Sequence, residues 1–76
     1  VNAFDLMKAA TSDVVRLRNH LARCREHARA LGFDERLLRE VQAAHALELS
    51  LRVLAEQLGM AEARRRVAAR RQGRAA

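Results

Sequence analysis

Residues 30–35 read Ala30-Leu31-Gly32-Phe33-Asp34-Glu35, and they carry the signals of one helix ending and another starting. Glycine reaches the left-handed conformation of a C′ residue without steric cost, so Gly32 stops the first helix. Phe33 and Asp34 then supply a hydrophobic staple residue and an N-cap for the second, with Leu38 as the staple partner. The chain is therefore expected to reverse direction over 32–34.

Working back from that turn, Met7, Ala10, Val14, Leu17, Leu21, Cys24, Ala28 and Leu31 recur at alternating spacings of three and four. This is the apolar seam of a coiled-coil-like helix. Its start is predicted at Asn2, which caps with Asp5 three positions on, and Val1 and Leu6 stand where a staple would place them. Working forward, Leu37, Val41, Ala44, Leu47, Leu51, Leu54, Leu58 and Ala61 repeat the pattern. Met7 to Leu31 and Leu37 to Ala61 have the same separation, roughly 36 Å along a helix at 1.5 Å per residue. Folding one onto the other sets Cys24 by Ala44, Leu17 by Leu51 and Met7 by Ala61. The expected fold is all-α: an antiparallel hairpin with a helix over about 3–31, a turn at 32–34, and a helix over about 35–58 with the option of running on to 72.

Composition agrees. Three glycines, no proline and two phenylalanines as the only aromatics leave few strand-favouring residues. A chain of 76 residues is one domain at most, close to the size where a single core is marginal. A second apolar stripe, Leu49, Val53, Met60, Ala63 and Val67, lies about 160° around helix two from its seam. One hairpin partner cannot cover both stripes, so Leu49, Val53, Met60 and Val67 are the expected partner-binding residues. The hairpin is expected to be completed by a homodimer or another protein.

Charge is segregated. The chain has fifteen basic and nine acidic side chains, and six of the arginines (Arg64, Arg65, Arg66, Arg70, Arg71 and Arg74) lie beyond residue 63, leaving residues 1–63 formally neutral. The organisation is thus a hairpin over 1–63 and a basic helical or frayed tail over 64–76. Arg64, Arg65, Arg66, Arg70 and Arg71 are the candidate nucleic-acid contacts, electrostatic and salt-sensitive because no aromatic lies near to stack on bases. Residues 50–71 are also similar to the helix-turn-helix of bacterial regulators, with Ala55 at the close-packing position, Gly59 at the turn and Met60 after it. That alternative, a small DNA-binding protein, needs an aliphatic anchor where Arg65 stands.

Other chemistry has little support. His20, Cys24 and His27 share a helix face, but Arg16 and Arg23 beside them oppose a cation, and no metal or other cofactor is expected. Thr11, Ser12 and Ser50 lack a base or a phosphate loop, so no enzyme and no small-molecule substrate is expected. No apolar run suits a membrane span, and no signal peptide is seen, which makes the cytoplasm the expected compartment. Val1 read as a GTG start codon would make this a bacterial reading frame.

Cys24 in a Leu-rich first helix, the Leu31-Gly32 stop, the acidic Asp34-Glu35 start, and Ala46-Leu47-Glu48 followed by Leu51, Val53 and Leu54 together resemble the small co-chaperones of type III secretion needle subunits. The resemblance covers roughly residues 15–58, and the arginine tail lies outside it. It implies a helical hairpin that docks on a helical-repeat partner and helps keep a needle subunit soluble, with Leu49 and Val53 on the docking face. The expected function is a non-enzymatic protein-interaction module, a chaperone-like adaptor or a self-associating hairpin.

Overall fold

The computed structural model describes residues 2–75, with side chains over 2–73. Two helices, α1 (Ala3–Ala28) and α2 (Asp34–Ala75), run antiparallel, joined through a 3₁₀ turn at Arg29–Leu31. The expected helical hairpin is the observed fold. Asn2 caps α1 by accepting the Asp5 N–H at 2.8 Å, which satisfies one of the free donors of the first turn. The staple between Val1 and Leu6 falls outside the described residues. At the other end Gly32 adopts φ 77°. Its N–H donates to the Arg29 carbonyl at 3.1 Å and the Phe33 N–H to that of Ala28 at 3.4 Å, the bond pattern of a Schellman stop. Asp34 opens α2 as its first residue, one place inside the expected cap, and with Glu35 sets negative charge at the positive end of the helix dipole.

Two features differ from the sequence expectation. The first is register. Phe4 packs on Gly59 and Arg18 on Glu48, whereas the expected pairing set Leu17 by Leu51 and Met7 by Ala61. The chain reverses through a 3₁₀ turn at Arg29–Leu31 ahead of Gly32, so the reversal begins before the expected 32–34.

The second is rotation. Both helices keep one expected row at the contact: Met7, Val14, Leu21 and Ala28 face Leu37, Ala44, Leu51 and Leu58. The other inward row is Phe4, Thr11, Arg18 and Arg25 on α1, and on α2 the expected Val41 followed by Glu48, Ala55 and Glu62, each one residue beyond the expected Leu47, Leu54 and Ala61. Leu17, Cys24, Leu31, Leu47, Leu54 and Ala61, expected in the seam, are exposed; Ala10 alone of its row stays half-buried. Small residues make the rotation favourable. Ala44 and Ala55, at 8% and 9% exposure the only buried hydrophobic residues among those described, let the helices approach closely, and Gly59 leaves room for the Phe4 ring.

Helix α2 runs unbroken through Gly59. Residues 50–71 therefore form one continuous helical stretch, and the turn that a helix-turn-helix requires there is absent. Glycine costs about 1 kcal/mol in a helix relative to alanine, but at this position a Cβ would come within 3.0 Å of Phe4 Cε2, so tertiary packing accounts for it. With 42 residues against 26, α2 overhangs α1. The molecule is a rod of 69 × 17 × 10 Å with a radius of gyration of 19.1 Å, well above the about 11 Å of a compact domain of this length.

Candidate partner-docking surfaces

The centre of the hairpin is polar. Glu48 is 3% exposed and receives Arg18 Nη1 on Oε2 and Arg52 Nη2 on Oε1 at 2.7 Å. His45 Nδ1 lies 3.4 Å from the same carboxylate and 3.1 Å from Arg18 Nη1. Burial raises the carboxyl, but the charges of Arg18 and Arg52 and the hydrogen bonds from Arg52 and His45 outweigh it, and Glu48 titrates below its ordinary 4.5. This cluster was not read from the sequence. Its signal was an oppositely charged pair, Arg18 and Glu48, each directly following a leucine assigned to the seam. Thr11 joins the inward row by donating its hydroxyl to the Met7 carbonyl at 2.8 Å, a local bond that lets it face the contact.

Such a polar centre leaves apolar side chains elsewhere. The four expected partner-binding residues, Leu49, Val53, Met60 and Val67, are all exposed. At 100° per residue Val53, Met60 and Val67 point almost directly away from α1, and Leu49 lies to one side of them. They form a stripe on the outer face of α2 about 27 Å long.

A second apolar surface comes from the displaced row. In α1, Leu17, Cys24 and Leu31 fall about 80° to one side of the helix contact, and in α2 Leu47, Leu54 and Ala61 do likewise. Which flanks coincide is settled by a shallow groove on the hairpin, lined by Lys8, Ser12 and Val15 from α1 and Arg52 and Glu56 from α2. All five follow inward residues by one position, so the positions following the contact share one flank. The positions preceding it, with the displaced leucines, share the other. By that rule the leucine flank holds Leu6, Ala10, Leu17, Cys24, Leu47 and Leu54 with the charges of Asp13, Arg36 and Glu40, while the opposite flank carries Asp5, Lys8, Glu26, Arg29, Arg52 and Glu56.

The arginine tail is helical and continuous with α2. Glu62 accepts from Arg65 at 2.8 Å and lies 3.6 Å from Arg66, so Arg65 is an exposed, paired side chain and not a buried anchor. Arg64, Arg70 and Arg71 make no ion pair among the described residues. Arg64 and Arg71 share a face with Ala68, while Arg66 and Arg70 share another, so the five cations surround the rod and do not line one side. His20, Cys24 and His27 are all exposed on α1, and among the described residues no group of three or more His, Cys, Asp or Glu side chains converges on a point. No helix among the described residues is long and apolar enough to cross a membrane. No protein-family model, curated protein or solved structure matches the chain.

Proposed function

We propose that this chain is a non-enzymatic protein-interaction module, a helical hairpin that works by burying apolar side chains against another helical surface, as a chaperone-like adaptor or self-associating unit does. One contrast carries the reading. Among the described residues ten large hydrophobic side chains are exposed, while the buried hydrophobic residues are two alanines. Ordering a residue costs about 1–2 kcal/mol of backbone entropy, and two alanines return little of that. Contiguous exposed apolar surface on a soluble chain marks a place where another molecule sits.

The outer stripe of Leu49, Val53, Met60 and Val67 suits a partner helix laid along α2, with anchors repeating at three and four. The resemblance to needle-subunit co-chaperones supports the same surface, through Leu49 and Val53. The test compares the wild-type chain and the Leu49→Asp plus Val53→Asp variant as baits in one interaction screen, alongside sedimentation of each. Partners bound by the wild type and lost by a variant of unchanged helix content support the module. A stable wild-type monomer with no stripe-dependent partner removes it.

The projecting end of α2 favours a second reading, contact with nucleic acid. Arg64, Arg70 and Arg71 have no acidic neighbour to neutralise them, and α2 extends past α1 into open solvent. Binding by cations on all sides of a straight helix would be driven by counterion release and largely indifferent to sequence. Duplex binding that survives at high salt with a sequence preference would contradict this electrostatic form.

A further inference from the structure

We infer that the projecting end of α2 lies in the major groove of B-form DNA, with two rows of arginine set against its two phosphate walls. This rests on the nucleic-acid reading and names which nucleic acid is met and on which surface. No acidic residue follows Glu62 in the chain, so the end of α2 is purely cationic. Past the groove that Asn2, Phe4 and Asp5 form with Glu62, Ala63 and Arg66, residues 67–75 continue as helix for about 13 Å.

The arginines of this end fall into rows. Measured around the helix from Val67, Arg64 and Arg71 stand at about +50° and Arg66 and Arg70 at about −80°. All four are exposed, and Arg66 alone of them lies near a carboxylate, 3.6 Å from Glu62. Arg65 stands behind both rows and is held by Glu62 at 2.8 Å. Within 63–73 only Ala63 and Val67 lie between the rows.

Rows about 130° apart need anions on two sides of the helix. A flat anionic surface offers one side. Ala63 and Val67 are also too little apolar area to sink between lipid headgroups, where interfacial helices present a broad apolar face. A major groove offers both sides. In B-form DNA it is about 12 Å wide and admits a helix of about 10–12 Å. Its rims are phosphates, and the small side chains at 63 and 67 let the helix settle toward its floor. The major groove of A-form RNA is too deep and narrow for side chains to read. Helix α1 lies about 130° around α2 from Val67, so the hairpin body stays outside the groove.

The test is fluorescence anisotropy of a short labelled DNA duplex with the full chain at several salt concentrations. Arg64→Gln plus Arg71→Gln should lower the log–log salt slope by about 2, and Arg66→Gln plus Arg70→Gln by about 2 as well, because each pair serves one wall. The same charge change in the hairpin body, Arg36→Gln plus Arg39→Gln, should leave the slope unchanged. In the complex, guanine N7, an atom of the major groove, should be protected from dimethyl sulfate, and an RNA duplex of the same sequence should bind about tenfold more weakly. A slope moved by only one tail pair or by the hairpin pair, guanine N7 left reactive, or RNA bound as tightly as DNA overturns the groove assignment and leaves the nucleic-acid reading intact. Tighter binding to phosphatidylserine vesicles or to polyglutamate than to DNA, or no duplex binding at low salt, overturns both.

Discussion

Single residues set the limits of this fold at three places. Gly32 holds a left-handed backbone with open space around its Cα, so a methyl group there meets nothing and the cost of Gly32→Ala is backbone strain alone. We expect a loss of about 1 kcal/mol in urea unfolding followed by circular dichroism. Glu48 decides the acid behaviour. Its carboxyl is lowered below 4.5 by Arg18 and Arg52 against the opposing effect of burial, so its contribution to stability is complete above the unfolded carboxyl value and is lost as pH falls through the lower, folded one. Acid unfolding should therefore contain a step below pH 4.5 that Glu48→Gln abolishes. Because Arg18 is also half-buried, Glu48→Leu alone should lower the melting temperature, and adding Arg18→Leu should restore or raise it, since an unpaired buried charge costs more than an apolar pair. Independent effects of the two substitutions would show that the pair is not coupled.

At the scale of the element, α2 continues unbroken through Gly59, which serves as a packing residue. Its missing side chain admits the Phe4 ring, with Cε2 at 3.0 Å and Cδ2 at 3.3 Å from where a Cβ would stand. Alanine at 59 gains about 1 kcal/mol of helix propensity but must displace the ring. Gly59→Ala should then stabilise the chain by about 1 kcal/mol in a Phe4→Ala background and by less in the wild type, a difference that a thermal-melt double-mutant cycle reads directly. Equal gains in both backgrounds would show that the ring yields freely. The same element explains what periodicity could and could not give. Helix existence, the Asn2 cap and the Gly32 stop rest on local chemistry and are legible from a few adjacent residues. The rotation of each helix is not, because an apolar stripe is wider than the contact one neighbour makes. Leu17 and Leu47, at 52% and 49% exposure, fit the seam by spacing, and their outward position accompanies the pairing of Arg18 with Glu48 and the close packing at Ala44, Ala55 and Gly59.

For the whole molecule, the rod shape follows from unequal helices. Beyond Arg66, α2 lies past the groove formed with Asn2, Phe4 and Asp5, so its last residues make no contribution to the hairpin contact. Removal of 67–76 should leave thermal stability unchanged while reducing retention on heparin. If the tail contacts duplex nucleic acid, the full chain should show a log–log salt slope of about −5, set by about six phosphate contacts, and the truncated chain a slope reduced by about 3 for the loss of Arg70, Arg71 and Arg74. A slope unchanged by truncation would place the contacts on the hairpin itself.

The sequence by itself determined the all-helical hairpin, the place of its turn, its N-terminal cap and the concentration of net charge at one end, because caps, glycine stops and apolar periodicity act over a few bonded neighbours. Only the tertiary structure decided which side of each helix faces the other, that Glu48 is the most buried of the described residues, and that α2 passes Gly59 without a break. Those outcomes depend on close approach at Ala44 and Ala55, on the fit of Phe4 to Gly59 and on the Arg18–Glu48 pair across the helices. They are contacts between residues far apart in the chain, which spacing along one helix cannot encode.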